Sequence, residues 1–218
     1  MARIVFDLDG TLIDSAPDIH GIANALLAAE GKEPITLDQA RDFIGNGASV
    51  FVSKMRAARD IADDQHDRLL KQFIARYDDA VTLTEPYPNV ETTLKALVAD
   101  GHSLGICTNK PIRPTKAVLA HLGLDKYFQT FWGGDSLSVH KPDPAPLNAA
   151  FEALPDGVDL YVGDSDVDAE TAQRAMVPFF LYTEGYRKLP VSEMTHTEAF
   201  SDFADLPALI ARVLAETA

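Results

Sequence analysis

The 218-residue sequence predicts an α/β fold: a doubly wound, Rossmann-like parallel-sheet core into which an all-helical cap domain is inserted. Three observations carry that expectation. A short apolar run, Arg3-Ile-Val-Phe, passes straight into the polar stretch Asp7-Leu-Asp-Gly-Thr, as a buried strand does where it meets a loop. From Ser15 to residue 82, apolar residues recur at helical spacing with no strand candidate between them. Beyond the turn-rich stretch Thr84-Glu-Pro-Tyr-Pro-Asn, strand-like and helix-like segments alternate, the pattern of a parallel sheet covered by helices.

Each element has its own justification. Ile19, Ile22, Ala23, Leu26 and Leu27 share one helical face; Ser15 is the expected N-cap, Pro17 suits the first turn, and Gly31 ends the helix. Thr36-Leu-Asp-Gln has capping-box spacing and predicts a second helix running towards Ile44. Gly45-Asn46-Gly47 breaks the chain, and Ser49 is the expected cap of a third helix carrying Phe51, Val52 and Met55. A fourth carries Leu69, Leu70, Phe73, Ile74 and Tyr77. Pro86 and Pro88 forbid helix in the linker that follows.

Past the linker, helices are expected around 94–98 and 118–122, stopped by Gly101 and Gly123, and alternating with strands at Ser103–Cys107 and 129–132. A helix over 147–154, a strand at 160–162, a helix over Asp166–Ala175, a strand at Phe179–Tyr182 and a helix over 206–214 complete the pattern. The expected boundaries are 1–14 and 83–218 for the core and 15–82 for the cap, with hinges near 14–17 and 82–88.

Composition narrows the function. Nineteen Lys and Arg against thirty-three Asp and Glu leave a net charge of −14, a surface that repels polyphosphate backbones and argues against nucleic-acid or anionic-membrane partners. No apolar run approaches the ~20 residues that span a bilayer, and Asp7 and Asp9 interrupt the N-terminal run too early for a signal peptide. One cysteine, Cys107, excludes an intramolecular disulfide and a Cys-rich zinc framework. These bounds lead to the expectation of a cytoplasmic protein and leave oligomeric state open.

In a doubly wound sheet, ligands bind at the carboxyl ends of the strands. Here those ends carry Asp7 and Asp9, then Thr108-Asn109-Lys110, then Asp164 and Asp168, with Lys141 in a loop beside Pro142 and Pro144. Several carboxylates cannot share a small site without a cation, and oxygen ligands favour Mg²⁺. Mg²⁺ and a lysine together would neutralise a phosphoryl group, so the implied ligand is a small anionic phosphate ester. Asp7 and Asp9 are spaced i, i+2 and can face one site: one carboxylate could attack phosphorus while the other handles the proton of the leaving alkoxide. Neither role is open to a carboxylate that stays locked in a salt bridge.

Asp7-Leu-Asp-Gly-Thr, Thr108, Lys141-Pro and Gly163-Asp-Ser-Asp-Val-Asp168 resemble, in order, the four motifs of the haloacid dehalogenase superfamily, and the helical insert resembles its C1-type cap. Asp9 is a feature of the phosphatase branch. The resemblance implies Asp7 as nucleophile, Asp9 as general acid and base, and Mg²⁺ held by Asp7, the main-chain carbonyl of Asp9, and Asp164. It further implies Thr108 and the Asn109 amide on the phosphoryl oxygens, Lys141 between phosphoryl and Asp7, and Asp168 at the metal's edge, orienting a water or Lys141.

Asp14-Ser-Ala-Pro-Asp-Ile, Ile44-Gly-Asn-Gly-Ala, Cys107-Thr-Asn-Lys and Gly133-Gly-Asp-Ser-Leu are similar to strings in superfamily members that hydrolyse 2-phosphoglycolate. Gly45, Asn46 and Gly47 match the specificity loop expected to close over the substrate's carboxylate end. Asn89 stands where glycine is usual, and Asp143 and Asp166 add unusual negative charges.

The rival readings are a β-phosphoglucomutase-like phosphotransferase, a pyrophosphate or sugar-phosphate phosphatase, and a signalling receiver module. The last predicts a compact domain with its phosphorylated Asp on a middle strand and gives the helical insert no purpose.

Overall fold

The computed structural model describes residues 1–77 and 80–216. Residues 78–79, within the expected cap, and 217–218, at the expected end of the core, lie outside the described residues. The main sheet is built from β1 (Ala2–Phe6), β4 (Ser103–Cys107), β5 (Thr130–Trp132), β6 (Val158–Gly163), β7 (Phe179–Tyr182) and β8 (Glu198–Phe200). Their order is β5-β4-β1-β6-β7-β8, every pairing parallel. The chain leaves β1 in one direction to reach β4 and crosses to the other side for β6, so the C-terminal end of β1 is the switch point where crevices open.

Side chains on β1 alternate between the two faces, as the two-residue pleat requires. Ile4 and Phe6 join a core beneath α5 (Val90–Ala99), α6 (Ile112–His121) and α9 (Leu206–Glu216). Val5 joins a second core beneath α7 (Ala145–Glu152) and α8 (Asp166–Ala175). A third core lies within the insert, among α1 (Ala16–Ala29), α2 (Leu37–Phe43), α3 (Gly47–Ala57) and α4 (His66–Tyr77), where Leu26, Phe51, Met55, Leu69 and Phe73 meet. The insert thus buries its own apolar face instead of covering the sheet.

The capping box of Thr36 forms as the sequence predicts: its hydroxyl accepts the Gln39 N–H, and the Gln39 side-chain Oε1 accepts the Thr36 N–H. Two other expected caps do not. Ser49 lies inside the first turn of α3, which Asn46 opens, and its hydroxyl meets His66 instead. The Ser15 hydroxyl makes no capping bond, because Asp9 takes it. Asn89 adopts φ 65° just before α5, the left-handed geometry that explains its tolerance in a glycine position.

Two short segments escaped the sequence reading. One is β8. The other is the pair β2 (Ile13–Asp14) and β3 (Glu85–Pro86), an antiparallel ribbon that ties together the strands entering and leaving the insert. Both connections are therefore adjacent, with Asp18 accepting the Leu83 N–H and the Thr84 hydroxyl across them. No helix of the described residues is long and apolar enough to cross a membrane.

Candidate active site

The strand-end residues converge as the topology demands. Leu8 points into the core and leaves Asp7 and Asp9 on the side of the crevice. Asp164 sits at the end of β6, and Asp168 is one turn into α8. Gly10 makes the close approach possible: its φ is +90°, and a Cβ there would stand 2.5 Å from Asp164 Oδ2. The Thr11 hydroxyl donates to Asp164 Oδ1 at 2.6 Å and the Tyr186 N–H to Oδ2 at 2.6 Å.

Lys141 is 2% exposed and lies between two carboxylates, its Nζ 2.9 Å from Asp7 Oδ1 and 2.6 Å from Asp168 Oδ1. Its peptide bond to Pro142 is cis. The Tyr161 hydroxyl reinforces this arrangement, donating to Asp168 Oδ1 at 2.7 Å. Asp168 Oδ2 accepts the Ser165 hydroxyl at 2.6 Å and the N–H groups of Asp164 and Ser165. Both Asp168 oxygens are thus engaged in fixing Lys141 and the start of α8. Of the two positions expected for Asp168, the contacts favour orientation of Lys141, although its carboxylate remains within 4.8 Å of ligand atoms on Asp7 and Asp164.

Charge decides what else the site can hold. Asp7, Asp9, Asp164 and Asp168 face two ammonium groups, Lys110 and Lys141, which leaves two negative charges in a desolvated pocket. Burial, with Asp168 nearby, pushes Asp7 up to about 6 despite the opposing pull of Lys141. Asp164 is raised well above the usual carboxylate range by burial and by its acidic neighbours, and among the described residues no lysine or arginine forms an ion pair with it. Asp7 Oδ1 is fully buried and lies off the hydrogen-bonding axis of Lys141, so it has no hydrogen-bond partner. An Asp7 oxygen without a full hydrogen bond, an Asp164 with no ion pair among the described residues and a formal excess of two negative charges fit a hard divalent cation such as Mg²⁺. Burial alone would discharge Lys141, but its two carboxylates hold its pKa above the ordinary lysine value.

Asp9 and Asp7 are both in ion pairs, contrary to the requirement drawn from the sequence. Lys110 Nζ contacts the two Asp9 oxygens at 3.0 and 3.3 Å, and the Ser15 hydroxyl donates to Asp9 Oδ1 at 2.5 Å. Lys110 also lies 4.2 Å from the centre of the Tyr77 ring, in α4. The sequence placed Lys110 at the strand end without a role. Its position two residues after Thr108 was the available signal. Tyr186, whose hydroxyl bonds Asp14 at 2.5 Å and accepts the Ala16 N–H, comes from a loop with no motif to mark it.

A cleft opens over Asp7, Asp9, Thr108, Asn109 and Lys110. Its roof is apolar, made by Ile19, Ile44, Ala48, Phe51 and Phe73. Gly45 and Gly47 line it, with φ of 115° and 82°, whereas Asn46 opens α3 and is not among the lining residues. Asn109 braces the two sides: its side-chain amide donates to the carbonyls of Gly45 and Lys141, and its Oδ1 accepts the Lys141 N–H. The side-chain amide is thus taken up in bracing the cleft. Asp143, anomalous in sequence, accepts the Ala145 N–H at the start of α7.

Residues 4–182 match the family model described as haloacid dehalogenase-like hydrolase, and the chain belongs to that family. Over 218 residues it is 49% identical to a protein of Cereibacter sphaeroides named phosphoglycolate phosphatase, covering 99% of this chain and 100% of that one. A protein of the same name from Rhodobacter capsulatus is 44% identical over 209 residues, 95% of each chain. Among solved structures, one described as a predicted phosphoglycolate phosphatase from Haemophilus somnus is 31% identical with a TM-score of 0.85, covering 95% of this chain and 97% of that one.

Proposed function

We propose that this protein hydrolyses 2-phosphoglycolate to glycolate and phosphate, with Mg²⁺ as cofactor and a phospho-aspartyl intermediate at Asp7. The observation that carries the reaction class is the buried excess of two negative charges around Asp7 and Asp164, beside a lysine held ready by Asp168. Full-length similarity to the relatives named phosphoglycolate phosphatase supports the substrate.

In this reading Asp7, Asp164 and the main-chain carbonyl of Asp9 hold Mg²⁺, which supplies charge neutralisation for the phosphoryl oxygens. An Asp7 carboxylate oxygen attacks phosphorus in line, and the phosphorus–oxygen bond to glycolate breaks. Protonated Asp9 gives its proton to the departing alkoxide, then takes one from the water that attacks the phospho-aspartate, which releases phosphate and restores Asp7. The Asp9–Lys110 pair must therefore loosen or share during turnover. Thr108 and the main-chain N–H of Asn109 donate to the phosphoryl oxygens, and Lys141 offsets phosphoryl charge.

We assign residues 15–82 to the cap and 1–14 with 83–218 to the catalytic core. The cap closes on the β2–β3 ribbon, Gly45–Gly47 cover the carboxylate end, and bulk water is excluded. The cytoplasm is the proposed compartment, supported by the lone, buried Cys107, whose thiol is pushed up to about 12 by burial.

The test is phosphate release with Mg²⁺ from 2-phosphoglycolate, pyrophosphate, β-glucose 1-phosphate and several sugar phosphates. A clear preference for 2-phosphoglycolate that EDTA abolishes is the expected result. Preference for another ester would overturn the substrate reading, and release unaffected by EDTA would overturn the cofactor.

A further inference from the structure

We propose that Lys110 is the specificity-determining cation of the cleft, reading a carboxylate carried on the leaving group of the phosphate ester. The proposal deepens the reading above and rests on its placement of the leaving oxygen at Asp9.

Of the described residues lining the cleft, Lys110 has the one cationic side chain. The roof side chains Ile19, Ile44, Ala48, Phe51 and Phe73 carry no charge to pair an anionic end group. Lys110 is held from both sides, by Asp9 in the core at 3.0 and 3.3 Å and by the face of Tyr77 in α4 at 4.2 Å. Its ammonium is therefore fixed between the core floor and the helical roof, where the non-phosphate end of a substrate must lie.

Chemistry sets the reach. The ester oxygen that leaves must lie within hydrogen-bonding distance of Asp9, roughly 3 Å. In a phosphorylated two-carbon acid the carboxylate carbon is two bonds from that oxygen, so its oxygens fall beside the group already touching Asp9. An ammonium has three donors; the two Asp9 oxygens use at most two of them and Tyr77 lies against the remaining side, so a substrate carboxylate would share the ammonium with these groups. Lys110 can thus bridge Asp9 and a substrate carboxylate. An ester whose leaving group is neutral would leave this desolvated cation without its second anion, which costs binding. Because the carboxylate is present in the substrate and in the transition state alike, its loss is expected chiefly in KM.

The experiment compares 2-phosphoglycolate with 2-hydroxyethyl phosphate, which has a neutral CH₂OH in place of the carboxylate, for the full-length Mg²⁺-loaded protein. The quantity read is the ratio of the two kcat/KM values. The wild type is expected to favour the acid, and Lys110→Met to lower that ratio at least tenfold, mostly through KM. Lys110→Arg, which keeps the cation, is expected to retain most of the discrimination, an outcome that a merely structural role would not produce. Should the Met variant lack the wild-type circular dichroism spectrum, the ratio is read on Lys110→Gln. A neutral variant with a ratio within threefold of wild type overturns the assignment of Lys110 while leaving the substrate reading intact. A wild type that releases no phosphate from 2-phosphoglycolate overturns the substrate reading itself.

Discussion

At the residue scale, the site is a problem in placing four carboxylates close together, and glycine solves part of it. Gly10 lets the chain turn back under Asp164 with a backbone geometry closed to other residues, and the space its missing side chain leaves is filled by Asp164 Oδ2. Gly10→Ala would both strain the turn and push that oxygen aside. The expected outcome is Mg²⁺ affinity weakened by roughly 10- to 100-fold, the range for disturbing groups that orient a metal ligand. Mg²⁺ titration of phosphate release, with direct metal binding by calorimetry, checks it. Unaltered Mg²⁺ affinity in a folded variant would remove Asp164 from the metal's surroundings.

At the scale of elements, helices with local start and stop signals and strands carried by apolar runs were legible from sequence, and the short β2, β3 and β8 were not. Thr36 and Gln39 satisfy each other within one turn, so α2 could be read directly. Thr36→Ala is expected to cost about 1 kcal/mol of stability and leave kcat unchanged; thermal unfolding and steady-state assays measure both. Ser15 and Ser49 carried similar signals and lost them to partners outside their helices, Asp9 and His66. The β2–β3 ribbon has two residues on each side, too short for any periodicity. It forms because the two connections of the insert run side by side. The strand-end motifs were legible because topology brings strand ends together wherever the sheet is parallel. The Asp9–Lys110 pair, the engagement of the Asn109 amide and the Tyr186 contacts depend on how the insert and loops pack, which no local spacing records.

For the whole molecule, an acidic protein binding an anionic ester is explained by the site's own composition. Two ammonium groups and a divalent cation would offset four carboxylates locally, and water screens the more distant charge. The same arrangement predicts how pH and metal act on stability. The folded-state pKa of Asp7, about 6, exceeds its ordinary value of 3.8, so the metal-free folded protein binds a proton that the unfolded chain has released. Its contribution to stability is therefore present below about 4 and is lost as pH rises through 6. Asp164 acts with the same sign, whereas Asp168, lowered by Lys141, changes stability only below the usual carboxylate range. Mg²⁺ competes with that proton. It should raise Tm by several degrees at pH 7.5 and by less at pH 5.5, given about 2–4 °C per kcal/mol for a chain of this size. Subtracting the scan in EDTA at each pH removes groups such as His102, whose lowered pKa acts in the opposite direction. An equal Mg²⁺ shift at both pH values would contradict the account.

The central claim is that Asp7 is the nucleophile of a Mg²⁺-dependent hydrolysis. The most direct measurement is phosphate release from 2-phosphoglycolate by Asp7→Asn and by wild type under identical Mg²⁺ concentrations, with circular dichroism confirming that both are folded. The amide keeps the shape of the buried side chain and removes the attacking oxygen anion, so the rate should fall by at least about 10³-fold. Release by the folded variant within tenfold of wild type would contradict the account at its foundation.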